Sequence, residues 1–297
     1  MSEVNLKGLG VALITPFTEN GLVDFEALAR LVNFQIKNGT SYIVALGTTA
    51  ETPTLTDKEK AEVMDCILKE VQNRIPVVIG IGGNNTASVA EELKSTNFKG
   101  ISAVLSVTPY YNKPTGEGLY QHYRALSEVS PVPLILYNVP GRTGVNMSAE
   151  TTLRIAKEFK NVIAIKEASG NINQIEEIIN GAPEGFKVIS GDDGVTSSVI
   201  ELGGIGVISV FGNAFPKEMS WLVDNALAGN SLSARMKMEE DFNELFHLIF
   251  VEGNPAGVKS ILHQKGMIKN ILRLPLVPVS KKTDLLIKEA LIKAATL

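Results

Sequence analysis

The sequence predicts a closed (β/α)8 barrel, the TIM-barrel architecture, with a C-terminal helical appendage. Three observations carry this. Eight short runs of strand-type apolar residues recur up to Val210, each ending in a polar or glycine-bearing turn. Helix-length stretches separate them, and such alternation argues for a parallel sheet covered on both faces. With 297 residues, 44% of them hydrophobic, the chain can bury the core that eight such units need. An open doubly wound sheet fits the first two observations as well.

The expected strands are 10–14, 42–46, 77–81, 103–107, 133–137, 162–166, 187–190 and 206–210. Each is an apolar run with a stop signal. The first ends in Thr15 and Pro16, the second in Gly47, Thr48 and Thr49, and the third in the tight turn GIGGNN. The fourth ends in Thr108, Pro109, Tyr110 and Tyr111, the fifth in Tyr137, Asn138 and, after a turn, Arg142. The sixth ends on Lys166, the seventh in Gly191, Asp192 and Asp193. Helices are expected over 24–37, 57–73, 88–95, 118–128, 148–159 and 173–179. After Phe211 the strand signal stops; 216–228, 233–251, 256–265 and 281–295 read as helices, broken by Pro275 and Pro278. The first of these completes a catalytic barrel over 1–228, and the others form a helical bundle over 229–297.

Composition excludes several function classes. A net charge of -4 without a basic stripe disfavours nucleic acid. The chain has no apolar run long enough to span a bilayer and no secretory signal in MSEVNLKGLG, so a cytoplasmic protein is expected. The single cysteine, Cys66, excludes an intrachain disulfide and reads as a structural thiol. His122, His247 and His263 are scattered, which gives a histidine metal site no basis. SGDDG after the seventh strand would set Asp192 and Asp193 against a phosphate, so the substrate is expected to be unphosphorylated.

On a barrel, polar residues at the C-terminal strand ends are the candidates for chemistry. Alternation puts Ala164 and Lys166 on one face of the sixth strand and Ile163 and Ile165 on the other, towards the helices. By the same rule Lys166 and Glu167 point apart and do not pair. A lysine on a buried strand loses hydration, which disfavours its ammonium form, so it must be paired, displaced or used. Beside Tyr137 it suggests an amine nucleophile that forms a Schiff base and uses the iminium as an electron sink, with the phenol moving protons. Tyr137 alone fits a core tyrosine equally well.

The motifs GTTAE (47–51), VTPYYNKP (107–114), LYNVPGRTG (136–144), IKEASGN (165–171), SGDD (190–193) and GVISV (206–210) resemble the dihydrodipicolinate synthase family. That family lies within the pyruvate-dependent class I aldolases, which include N-acetylneuraminate lyase. The likeness runs from VALITPF near the N-terminus to EGNPAGVK in the helical tail. It implies a cofactor-free, metal-free lyase that condenses pyruvate with L-aspartate 4-semialdehyde to 4-hydroxy-tetrahydrodipicolinate, at the entry to diaminopimelate and lysine synthesis. It also implies a homotetramer built as a dimer of dimers. By the resemblance Lys166 forms the imine, and Tyr137 relays protons through Thr48 to a Tyr111 that reaches across a dimer interface. Thr48 and Thr49 would bind the pyruvate carboxylate and Arg142 that of the semialdehyde. Ile208 would offer a backbone carbonyl near the imine, with Gly191 and Asp192 in the substrate-binding set.

Two departures from the family pattern stand out. Ala50 replaces the usual glycine of GTTGE, and is expected to be tolerated. In relatives inhibited by L-lysine, a cleft between subunits carries histidines and a glutamate. The corresponding positions here are Thr52, Pro53, Asp57, Lys60, Asn84 and Ser88, beside Tyr110, so the glutamate is replaced by neutral Ser88. Weak or absent lysine inhibition is therefore expected. Three other functions fit Lys166: a sugar-acid lyase of the same superfamily, a pyridoxal phosphate enzyme and a non-catalytic pyruvate sensor. The NVPGRTG arginine with Thr48 and Thr49 argues against the first, and the Asp192–Asp193 pair against the second.

Overall fold

The computed structural model describes residues 4–294. Its eight parallel strands pair in chain order: β1 (Gly8–Ala12), β2 (Tyr42–Ala45), β3 (Val77–Gly80), β4 (Ala103–Val107), β5 (Leu134–Asn138), β6 (Val162–Glu167), β7 (Lys187–Ser190) and β8 (Gly206–Ser209). β8 returns to β1 in the register Gly8↔Gly206 through Val11↔Ser209. The sheet is thus a closed barrel and the open alternative falls.

Inward side chains such as Tyr42, Val78, Leu105, Ile135, Ala164 and Ile208 fill the interior as one apolar cluster. Tyr42 lies across Gly10, where an added Cβ would sit 2.3 Å from its ring atoms, so the large residue on β2 requires the absent side chain on β1. Outward residues such as Val104, Leu136 and Ile165 join the larger core beneath the helices.

Two expectations about strands need correction. β1 ends at Ala12 rather than Ile14, because the Ile14 amide donates to Asn213 Oδ1 (3.0 Å) instead of continuing the ladder. Asn213 Nδ2 in turn donates to the Ala12 carbonyl (2.8 Å), so one buried side chain clasps the exits of β1 and β8. Ile163 does not share the helix-facing side with Ile165. The β5–β6 register jumps from Leu134↔Val162 to Ile135↔Ala164, and this bulge turns Ile163 towards the inner cluster. Beyond the bulge normal alternation resumes.

The helices around the barrel are α1 (Phe25–Lys37), α2 (Asp57–Val71), α3 (Thr86–Ser95), α4 (Gly116–Val129), the short α5 (Pro140–Thr143), α6 (Ala149–Glu158), α7 (Ile172–Gly181), α8 (Thr196–Glu201) and α9 (Pro216–Leu227). Asp24, Thr56, Asn85, Thr115, Ser148 and Asn171 cap six of them with side-chain oxygens, and Thr56 with Glu59 forms a full capping box. The sequence reading missed α5 and α8. Both are too short for a helical period to show, and α8 opens on Thr-Ser-Ser, poor helix formers.

The tail adds α10 (Ser231–Leu248), α11 (Ala256–Gln264) and α12 (Lys281–Ala294); the expected extension of the last helix to Ala295 lies outside the described residues. Phe211 stacks on Phe215 and Phe246 with ring centres 4.6 and 4.2 Å apart, which joins the exit of β8 to α9 and α10 in one aromatic cluster. Among the described residues no helix is long and apolar enough to cross a membrane. Cys66 is half-buried, and burial pushes its thiol up, away from nucleophile chemistry.

His122, on α4, is buried with Nδ1 bonded to Thr86 Oγ1 (2.9 Å) and Nε2 unpartnered. Burial pushes it down to about 4. An unfolded histidine titrates near 6.5, so as pH falls between these values the unfolded chain takes up a proton that the folded chain refuses, and stability drops. From pH 7 to pH 5 this group should remove about 2 kcal/mol. His122→Gln should lose that component. Urea unfolding of both proteins at the two pH values checks it, and identical pH dependence would refute the assignment.

Candidate active site

β6 delivers Lys166 to the barrel mouth because it lies two residues beyond Ala164 on the inward face. The β5–β6 register sets Tyr137 opposite Lys166, and Lys166 Nζ lies 4.4 Å from the centre of the Tyr137 ring. Both are buried, at 4% and 7% exposure. The amine is therefore buried against an aromatic face at the end of β6, and no salt bridge involves it among the described residues. Gly191, at the exit of β7, completes this corner. A Cβ there would lie 3.0 Å from Lys166 Cε and 2.6 Å from the Ala168 methyl, so glycine is required for the lysine side chain to pass.

Glu167 points the other way, as alternation demands. It is fully buried beneath the helices and accepts from Asn138 Nδ2 (3.1 Å), the Ser169 amide (2.8 Å) and Gln174 Nε2 (3.0 Å). Burial pushes its carboxyl up despite these donors. The cluster fixes the end of β6 and hence the direction of Lys166. Ile208 is buried on the inward face of β8, in register with Gly10.

The two aspartates after β7 have separate roles. The half-buried Asp192 carboxylate accepts from the Gly194 amide (2.9 Å) and shapes the turn at the mouth. Asp193 is buried, and its Oδ2 accepts from the amides of Val210 (3.0 Å) and Phe211 (2.8 Å), tying β7 to the exit of β8. Burial pushes its carboxyl up. Its role is structural; the sequence reading set both aspartates against a phosphate and placed only Asp192 in the substrate-binding set.

After β2, Thr48, Thr49 and Ala50 form a 3-10 turn. The left-handed residue that follows is Glu51, at φ +55°, and Ala50 is not among the positive-φ residues, so its Cβ meets no glycine-only backbone. Thr49 is buried and its Oγ1 accepts from Asn254 Nδ2 (2.9 Å). Arg142, exposed on the short α5, donates from Nη2 to the Asn254 carbonyl (3.3 Å). Glu51 and Lys259 form an ion pair of 2.5 Å, both side chains fully buried. Lys259 Nζ also donates to the Ile271 carbonyl (2.9 Å), and burial lowers the lysine to about 8 even against the pull of Glu51. Glu51 Oε2 accepts the Arg273 amide (3.0 Å), and Arg273 forks onto Glu59 at 2.5 and 2.9 Å. The tail therefore grips the loop that carries the two threonines. Sequence reasoning missed Asn254 and Lys259 as site-shaping residues, although both lie in EGNPAGVK.

Tyr111 stands apart, 88% exposed at φ +73°, on a loop braced by Asn84 Nδ2 to the Tyr110 carbonyl (3.1 Å) and Asn112 Nδ2 to the Asn84 carbonyl (2.8 Å). Among the described residues the hydroxyls of Tyr137, Thr48 and Tyr111 make no hydrogen bonds to one another. The structure thus brings together Lys166, Tyr137 and Gly191, and separately Thr49, Asn254 and Arg142.

A closed barrel with a dry lysine beside a tyrosine at its catalytic mouth defines a lyase of the class I aldolase type. A model of the dihydrodipicolinate synthetase family matches residues 5–295, and the chain belongs to that family. It is 60% identical over 291 residues to a 4-hydroxy-tetrahydrodipicolinate synthase of Parabacteroides distasonis, covering 98% of each chain. It is 56% identical to the corresponding enzyme of Phocaeicola vulgatus over 94% of this chain and 93% of that one. Among solved structures, dihydrodipicolinate synthase from Thermotoga maritima superimposes with a TM-score of 0.94 at 43% identity, covering 98% of this chain and 99% of that one. An Acinetobacter baumannii dihydrodipicolinate synthase in complex with pyruvate gives a TM-score of 0.94 at 40% identity, covering 99% and 100%.

The Glu51–Lys259 pair yields a stability prediction. Lys259→Met should cost about 3 to 5 kcal/mol, because it strands a buried carboxylate. Adding Glu51→Gln should recover part of the loss, since the uncompensated charge goes with it. Denaturant unfolding of the single and double variants checks this; a double variant less stable than Lys259→Met alone would count against the pair.

Proposed function

We propose that the protein condenses pyruvate with L-aspartate 4-semialdehyde to 4-hydroxy-tetrahydrodipicolinate through an imine on Lys166. The observation that carries this reading is the Lys166 amine held 4.4 Å from the Tyr137 ring inside the barrel mouth. The neutral amine adds to the pyruvate carbonyl carbon and water leaves, forming an iminium. Loss of a proton from the pyruvate methyl gives an enamine, the iminium having accepted the electron pair. The enamine carbon attacks the aldehyde, whose oxygen takes a proton and becomes the hydroxyl. The semialdehyde's own amine then displaces Lys166 from the former carbonyl carbon, closing a six-membered ring and freeing the enzyme.

In this reading Tyr137 moves the protons, with Thr48 and Tyr111 as the outward relay. The exposure of Tyr111 supports its serving a neighbouring copy, within a homotetramer assembled as a dimer of dimers. Thr48 and Thr49 hold the pyruvate carboxylate, Arg142 that of the semialdehyde, and Gly191, Asp192 and the Ile208 carbonyl line the site around the imine. Residues 1–228 are the catalytic barrel and 229–297 the bundle that braces it, and the enzyme works in the cytoplasm.

Pyruvate with borohydride should leave one covalent adduct, on Lys166, with a reduced three-carbon acid on the ε-nitrogen. Peptide mass mapping reads the position. No adduct, or an adduct that survives Lys166→Ala, would sink the imine mechanism.

The same reading extends to feedback. At the positions that correspond to the lysine cleft of sensitive relatives, Lys60 is ion-paired to Asp57 at 3.0 Å, so this carboxylate already has a cationic partner, and neutral Ser88 stands in place of the glutamate that would accept the ligand's α-ammonium group. Loss of a charge-assisted bond weakens binding by about 1.5 to 3 kcal/mol, about tenfold to more than a hundredfold. L-Lysine should inhibit weakly or not at all at concentrations that shut down sensitive relatives. A lysine titration of initial rates tests it, and strong cooperative inhibition would overturn this account of the cleft.

A further inference from the structure

The helical tail enters the mouth at one side chain. Asn254 is buried, at 8% exposure, just before α11. Its Nδ2 donates to Thr49 Oγ1 (2.9 Å), while its backbone carbonyl accepts from Arg142 Nη2 (3.3 Å). Its Oδ1 is buried and has no hydrogen-bond partner among the described residues. One residue therefore touches both groups assigned to substrate carboxylates, with its side chain on one and its backbone on the other.

The direction of the Thr49 bond has a chemical consequence. A hydroxyl carries one proton and can also accept. When the amide donates to Thr49 Oγ1, the threonine proton is free to be given elsewhere. We infer that Asn254 is a positioning residue for the pyruvate step, donating to Thr49 Oγ1 so that the Thr49 proton is presented to the substrate carboxylate. The inference rests on the proposed role of Thr49.

Two features argue that this arrangement is built in. The ion pair between Glu51, two residues after Thr49, and Lys259, on the first turns of α11, pins the same two segments together close to the bond. With the amide turned over, Asn254 would accept the Thr49 proton and leave an N–H2 group buried where a lone oxygen now lies. Orphaned buried donors are the rarer defect, so the observed orientation is favoured.

Asn254→Asp tests the polarity of the bond, because aspartate keeps the shape but can only accept. It would draw the Thr49 proton to itself and set a negative charge beside the pyruvate carboxylate. Steady-state kinetics should show the pyruvate KM raised about ten- to a hundredfold, the loss expected for a charge-assisted bond, with kcat changing far less and the semialdehyde KM near wild type. Asn254→Ala removes the donor without adding the charge, so it should raise the pyruvate KM by a smaller factor and leave the backbone contact to Arg142 intact. A packing role predicts the reverse order, with the isosteric aspartate milder than alanine; that order overturns the inference, as does an equal rise of both KM values in Asn254→Ala. Thr49→Val separates the parent reading. A wild-type pyruvate KM in Thr49→Val removes the role of Thr49 and this inference with it, whereas a raised one beside an unaffected Asn254→Asp overturns the inference alone.

Discussion

Pairing of β8 with β1 is the constraint on which the rest of the molecule depends. Once Gly8 to Val11 lie against Gly206 to Ser209, every strand runs in one direction around a closed ring and every strand end opens on one mouth. Residues separated by most of the chain then become neighbours at no further cost in loop length. Closure also divides the side chains into an inner set, small enough in places to admit Tyr42 over Gly10, and an outer set that carries the helices. Asn213 reinforces the seam, holding the exits of β1 and β8 through its side-chain amide.

Within that ring, the placement of Lys166 follows from what surrounds it on both faces. Inside, Tyr137 and the bare Gly191 give the amine a dry aromatic wall and room to extend. Outside, Glu167 is held by Asn138, Ser169 and Gln174, so the strand cannot rotate the lysine away from the mouth. Buried acceptors without donors would be costly here, and each carboxylate oxygen of Glu167 has one. The β6 bulge at Ile163 lies upstream and leaves the productive register undisturbed.

The helical tail is part of the mouth rather than an ornament to it. A fully buried Glu51–Lys259 pair would be a liability if either partner were alone, and it persists because further groups satisfy both: the Arg273 amide on Glu51 and the Ile271 carbonyl on Lys259. Removing one partner would leave the other charge buried and uncompensated. The pair ties the threonine turn after β2 to α11, just before which Asn254 bonds to Thr49 through its side chain and to Arg142 through its carbonyl.

Much of this was legible in the chain itself. Apolar runs with polar stops fell close to all eight strands, because a strand buried on both faces has few other compositions available. Alternation alone separated Lys166 from Glu167. Strand-end reading picked out Tyr137, Arg142 and Gly191, and the motifs around them identified the family. Short helices escaped, since α5 and α8 have too few residues for a period to appear, and the β6 bulge escaped because nothing in VIAIKE marks an extra residue. Partnerships across the fold escaped as well. Asn254 and Thr49, or Glu51 and Lys259, lie more than two hundred residues apart, and no local pattern pairs an amide with a hydroxyl or a glutamate with a lysine at such range. The sequence by itself determined which residues could be strands, which strand ends carried polar groups and, away from the bulge at Ile163, which face each residue would present, because those depend on the two-residue period of the backbone. Only the tertiary structure decided that the ring closes, that Asp193 is a clasp while Asp192 borders the mouth, and that the tail holds the threonine turn, because burial, desolvation and hydrogen-bond direction exist only once distant segments have met.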